Sequence, residues 1–540
     1  MPDILDGLSM NIEQSNLDKL RSVFPECVSE GKLDIDKLLS LCGEYIDNDF
    51  EKYKFEWKGK ANCLRLAQKR STGTLRPCME ESVDWDTTQN LYIEGDNLEV
   101  LKLLQTAYYR KVKMIYIDPP YNTGNDFVYA DDFADPMTRY KEVTQQTTKS
   151  NPETMGRYHT NWLNMMYPRL RLAANLLRDD GVIFISIDDV EIDSLKKLCN
   201  EIFGEENFVA QFIWQSRQNK DNRNITGVSI DHEYVVCYTK QFGHRVFRGT
   251  DRKTEQYKNP DNDPRGPWTS ANMVGLATAD ARPNLHYDLI NPADGRNYGC
   301  PEKGWRYDRN TMNRLIQEGR IIWPDNPEGR PRKKSFLNEL SDNLPGFSSI
   351  FNTGIYTNTA TKEIGGLFNR YLFDFPKPVE IIKQLISQVS NTDDIILDFF
   401  SGSATTAHAV MQLNAEDGGN RRFILVQLPE LCDEKSEAYK AGYTNICEIG
   451  KERIRRAGKK ILEEHTQVTM EEDKQPLDVG FRVFKLDTSN LKTWDATPIE
   501  DEQLDLLYQR MNSMIHRVKP ERTDLDMIYE IMLKLGVPLT

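Results

Sequence analysis

Apolar positions recur with helical spacing through residues 10–50, as in Leu17, Leu20 and Val23 and again in Leu33, Leu38 and Leu41, and predict a small helical lead-in. Residues 52–88 mix aromatic, Gly, Pro and Thr residues without a period and read as an irregular connection. From residue 90 strands alternate with helices. Residues 90–94 read as a short strand ending at Gly95-Asp96, and residues 97–110 as a helix with Leu98, Val100, Leu101, Leu103 and Leu104 as apolar positions. Residues 112–117 and 182–187 are apolar runs of the kind found in parallel strands buried on both faces. Helices are expected over 167–177, stopped by Asp179-Asp180-Gly181, and over 190–203, closed by Gly204; a strand follows at 233–238. The rhythm resumes with helix 379–389, strand 395–397, helix 405–413 and strand 422–427. This alternation predicts an α/β fold, a doubly wound, mostly parallel sheet with helices on both faces. Residues 241–350 break the pattern. They are dense in Pro, Gly, Asn, Arg and Trp, and read as a separate irregular α+β domain inserted into the sheet.

Composition narrows the class. The chain has 540 residues, 39% hydrophobic and 28% charged, ordinary globular values that at this length imply several domains. The acidic, polar start is unlike a secretory signal, and no apolar run nears the roughly 20 residues a membrane span needs. Nine scattered cysteines, with no Cys-x-x-Cys, indicate a reducing cytosol and argue against a zinc site; no metal is expected. The net charge of −14 at first opposes nucleic-acid binding, but its distribution does not. Residues 1–50 and 461–540 each carry about −7, whereas 241–350 carry about +3, so any DNA surface is expected in the middle.

Asp118-Pro119-Pro120-Tyr121 is the most informative tetrapeptide. It follows a buried strand, at the carboxyl end where open α/β sheets place their sites. The prolines fix the backbone and remove two donors, so carbonyl oxygens and the Asp118 carboxylate point at one target. An exocyclic amine is a poor nucleophile because its lone pair is delocalised into the ring. Two hydrogen bonds from it to such acceptors hold the lone pair toward a methyl donor. Tyr121 offers a flat face for a base taken out of the duplex. The bland reading, a strand-ending turn, is weakened by the strand before and Asn122-Thr123-Gly124 after. A second turn, Asp398 to Thr406, joins strand to helix with Gly402 at its centre. It suits close approach of a cofactor carrying a carboxylate, although a generic βα turn looks alike.

Residues 117–124 resemble motif IV of the amino-methylating DNA methyltransferases, in the Asp-first form of the adenine-N6 enzymes. Residues 398–406 resemble their motif I, with Ala404 where a Gly is usual, and Phe375-Pro376-Lys377-Pro378 resembles motif X. Glu430, after the strand at 422–427, stands where their motif II has an acid; because motif IV precedes the insert while motifs X, I and II follow it, the likeness is to the permuted β class. Within it, the chain is most similar to the modification subunit of type III restriction–modification systems. The resemblance implies a permuted class I S-adenosylmethionine-dependent methyltransferase core. Asp118, Pro119, Pro120 and Tyr121 would be catalytic. Asp96, Asn97, Lys377, Pro378, Asp398, Phe400, Gly402, Ser403, Thr405, Thr406 and Glu430 would hold S-adenosylmethionine, with helix-cap or solvated-surface readings open for Asp96, Pro378 and Glu430. Asn122, Thr123, Arg332, Lys333 and Lys334 would contact DNA. His232 is read as orienting a loop. The expected divisions are 1–89, lead-in and connection; 90–240, first part of the core; 241–350, target recognition; 351–460, second part of the core; and 461–540, an acidic region for partner or dimer contacts. The implied setting is bacterial, cytoplasmic and nucleoid-associated. Double-stranded DNA, a restriction subunit and a second copy of the chain are the implied partners. An orphan adenine methyltransferase or a non-catalytic DNA-recognition subunit stays open as an alternative.

Overall fold

Strands of β-branched and aromatic residues, fully buried near the centre of the sheet, organise the larger part of the chain. The computed structural model describes residues 8–29, 31–42, 54–123, 157–221, 226–243, 245–251, 254–326, 328–340, 344–351, 354–468, 476–492, 504–515 and 517–540. They fall into two units, residues 1–246 with 348–540, and residues 247–347.

The first unit is built on a sheet of ten strands among the described residues. In chain order they are β1 (Gly73–Val83), β2 (Leu91–Glu94), β3 (Val112–Ile117), β4 (Leu177–Ile187), β5 (Phe208–Gln215), β6 (His232–Thr239), β7 (Ile350–Phe351), β8 (Ile395–Asp398), β9 (Arg422–Gln427) and β10 (Phe481–Thr488). Across the sheet the order is β7-β5-β6-β4-β3-β8-β9-β2-β10-β1. The run from β4 to β10 is parallel throughout, whereas β6 and β1 are antiparallel to their neighbours β4 and β10. From β3 the chain winds outward to β4; from β8 it winds the other way, to β9. The adjacent carboxyl ends of β3 and β8 are thus a topological switch point, where open parallel sheets form a crevice. Helices Lys60–Gln68 (α1), Asn97–Tyr108 (α2), Arg157–Leu176 (α3), Ile192–Phe203 (α4), Val379–Val389 (α5), Thr405–Asp417 (α6), Ile446–Val468 (α7) and Asp524–Leu535 (α8) cover the strands. Among the described residues no helix is long and apolar enough to cross a membrane.

Three expectations need correction. The connection read at 52–88 contains α1 and the edge strand β1. Pro77 lies within β1, which among the described residues is an edge strand paired with β10 alone, where a proline is tolerated. The acidic region read at 461–540 contains β10, which lies inside the sheet between β2 and β1, with α8 packed on α2 and β1. Asp179-Asp180-Gly181 lies within β4 rather than in a helix stop, and Asp180 pairs there with Lys113 at 2.9 Å.

The second unit has a three-stranded antiparallel sheet in the order Ile321–Ile322, Arg332–Phe336, Trp268–Ala271. Its core gathers Met273, Leu289, Trp305, Met312, Leu315 and Ile321. Trp305 is fully buried and its indole N–H donates to the Tyr287 carbonyl at 2.9 Å. Helix Arg309–Gln317 is N-capped by Asp308, which accepts from the backbone N–H groups of Asn310 and Thr311.

Candidate active site

The parallel strand β3 delivers Asp118 to the crevice, and the prolines stop the strand there. The Trp162 indole on α3 donates to the Pro120 carbonyl at 2.7 Å. The Pro119 carbonyl carries no hydrogen bond among the described residues and so keeps its acceptor capacity. Asn122 adopts a left-handed φ of 65°, turning the chain sharply after Tyr121. Its side chain is buried and donates to Glu191 at 2.6 Å, and Glu191 also bonds His159 at 2.8 Å. Asn122, expected to contact DNA, braces the loop in this structure. Thr123 is exposed, and Gly124 lies outside the described residues.

Around Asp118 the structure gathers residues that pattern alone did not connect. Lys377, just before α5, places its ammonium 3.2 Å from an Asp118 oxygen and 3.1 Å from Glu233 on β6. The ammonium also lies 4.7 Å from the centroid of the Tyr121 ring. The Tyr121 hydroxyl donates to Glu233 at 3.1 Å. Burial pushes the Asp118 carboxyl up, and the Lys377 charge pulls it back. Lys377, expected at the cofactor, is paired here with the two carboxylates. Pro378 is the N-cap residue of α5. His232 bonds Tyr234 at 2.8 Å, in keeping with a role in orienting its surroundings.

The second turn is fastened from behind. Asp398 accepts from the Phe400 N–H at 3.1 Å and from the Thr406 hydroxyl at 2.6 Å, and burial pushes it up to about 7. Each oxygen takes one hydrogen bond from the turn, so Asp398 helps to build it and keeps further acceptor capacity. Phe400 is buried. Ser403 and Thr405 are also buried, and their hydroxyls accept from Arg453 of α7 at 2.8 and 2.6 Å. Arg453 is fully buried, and burial lowers it to about 10. The Gly402 N–H donates to the Gln427 side chain at 2.7 Å; with φ at 50°, a Cβ there would meet Phe373 at 3.4 Å. Asp96 caps α2 by accepting from the Glu99 N–H and pairs with buried Arg169 at 3.2 Å. Asn97 donates to the Phe399 carbonyl at 2.7 Å, tying α2 to the turn. Glu430, after β9, is mostly buried, which pushes it up to about 7; its carboxylate has no hydrogen bond among the described residues.

Glu233, Glu191, Arg169, Gln427 and Arg453 escaped the sequence reading. Each lies far from Asp118 in the chain; Glu233 falls in the stretch Asp231-His232-Glu233-Tyr234, and Arg453 in residues 449–461, which add to the family likeness. In the second unit, Arg332 donates to Ser270 and is exposed, and Lys333 lies over the Tyr307 ring at 5.2 Å. Lys334, expected to contact DNA, is paired with Asp261 and Asp263. Arg320 is likewise held by Glu339.

A family model described as DNA methylase matches residues 112–459. The chain is 32% identical to the EcoP15I Mod subunit of an Escherichia coli type III restriction–modification enzyme, over 90% of this chain and 82% of that one. It is 33% identical to the StyLTI Mod subunit of Salmonella typhimurium, over 87% of this chain and 72% of the relative. For the EcoPI Mod subunit of Escherichia phage P1 the identity is 35%, over 82% and 74% of the two chains.

Proposed function

This chain belongs to the DNA methylase family, and from that premise we propose that it methylates the N6 amine of adenine in double-stranded DNA, using S-adenosylmethionine, as a type III modification subunit. The observation that carries the reading is the switch point, where the Asp118 acceptors and the Gly402 turn stand at the ends of neighbouring strands. The residues fit the cofactor. Gly402, partly exposed and without a side chain, lets a ligand approach the backbone of the turn, and the unbonded Glu430 carboxylate suits a pair of ribose hydroxyls. When bound, S-adenosylmethionine supplies a methyl group activated by its sulfonium. Asp118 and the Pro119 carbonyl accept the two amine hydrogens, directing the nitrogen lone pair at that methyl group. Tyr121 stacks on the base after it leaves the duplex.

Residues 247–347 form the target-recognition domain in this reading, with Arg332 and Lys333 toward phosphate. The partners are a restriction subunit and a second copy of the chain, and the DNA substrate places the enzyme at the nucleoid. The test is sequencing of modified bases in DNA from cells that express the chain. Methyladenine at one recurring sequence is expected. Unmodified adenine beside methylated cytosine would refute the adenine assignment.

A further inference from the structure

Lys377 has no part in the chemistry above, yet it occupies the position that chemistry needs. Its ammonium is an N–H donor 3.2 Å from Asp118 and 4.7 Å from the Tyr121 ring centroid. A target amine must make the first contact, and its base the second. The ammonium and an incoming base therefore draw on the same carboxylate and the same ring. Glu233 already shares the ammonium at 3.1 Å and is itself oriented by the Tyr121 hydroxyl. A short swing would leave the lysine charge paired while freeing Asp118, so no bare buried cation is created.

We propose that Lys377 is a positioning residue: it holds the amine seat on Asp118 until a base arrives, then passes to Glu233. This rests on the adenine methylation proposed above. The seat-holder has a second consequence. Asp118 accepts a hydrogen bond from the amine through ionised oxygens, and the groups facing it pull in opposite directions. Lys377 favours the ionised form. Burial opposes it most, Glu233 from β6 and Asp398 from β8 add to that, the Tyr121 hydroxyl favours it, and Tyr116 is a neutral neighbour. Activity therefore falls as pH drops through the Asp118 titration. Removing the positive neighbour moves that limb up in pH, and removing the negative one moves it down.

The experiment measures methyl transfer by the full chain to unmethylated genomic DNA, as kcat and KM against pH, with S-adenosylmethionine affinity followed by calorimetry. Lys377→Met should move the acid limb of kcat upward by about one pH unit or more, and Glu233→Gln should move it downward. Lys377→Arg should keep the wild-type limb, and cofactor affinity should stay within about twofold in all three. A merely structural role would not give shifts of opposite sign. If Lys377→Met does not fold, Glu233→Gln and Lys377→Arg decide. An unmoved limb in Glu233→Gln, or limbs moving the same way, overturns the inference. So does a tenfold loss of cofactor affinity in Lys377→Met, which would make Lys377 a cofactor residue. A wild-type chain that puts no methyl group on adenine overturns the functional reading itself, before any variant is compared.

Discussion

Asp118 is the side chain on which the chemistry converges, and its removal separates chemistry from cofactor binding. Asp118→Ala should lower kcat about a thousandfold, the scale of losing a preorganised charge-stabilising group, while calorimetry finds cofactor affinity within about twofold. Glu430 gives a test through pH. Its folded value, pushed to about 7, lies above the ordinary 4.5, so the folded state binds a proton that the unfolded chain releases. Its ionisation therefore costs stability as pH rises from about 4.5 to 7. Buried His408, lowered to about 3, acts oppositely in the same window, since its cost appears as pH falls below 6.5. Comparing Glu430→Gln with the wild type by denaturant unfolding cancels that term. The variant should match the wild type near pH 4.5 and be more stable by about 1–3 kcal/mol at pH 8. A constant difference across the range would show that Glu430 is not the titrating group. The acids that sequence reading found were those at strand ends, because strand ends are local features. Glu233 and Lys377 become partners only through β6 and α5, and no spacing records that.

At the scale of elements, the turn between β8 and α6 departs from its family pattern. Ala404 sits at φ 63°, the left-handed region that a glycine there would reach without strain. A methyl group is the largest that this position accepts at modest cost. Ala404→Val should lose about 2–4 kcal/mol, from a β-branched side chain at positive φ in a fully buried site, whereas Ala404→Gly should stay within about 1 kcal/mol. Thermal unfolding of the pair checks this, and equal losses would place the strain elsewhere. The central strands were legible because they are apolar on both faces, and β9 and α5 fall at their expected bounds. β10 was hidden: Arg482, Lys485 and Asp487 interrupt its apolar positions, and their charges are met by partners such as Glu81 and Arg522. The strand reads as a polar segment until those partners are known.

For the molecule as a whole, the two units predict separable properties. Exchanging residues 247–347 for the matching part of a relative should change which sequence is methylated and leave kcat within about tenfold, as read by modified-base sequencing. Methylation of the original sequence by a folded exchange variant would move specificity outside this unit. Within the unit, Arg332→Ala should weaken binding to all DNA and flatten its salt dependence, whereas Lys334→Ala should act on stability through the acids it neutralises. The weave of the sheet also sets a timetable for synthesis. Asn90, beside β2, bonds to Phe423 across 333 residues and to Gly480 across 390. At ribosomal speeds of about 5–20 residues per second, the first of those partners emerges roughly 20–70 s after β2. Throughout that wait the apolar Leu91, Tyr92 and Ile93 have neither neighbour, so the nascent chain is a client for chaperones that shield bare strand edges.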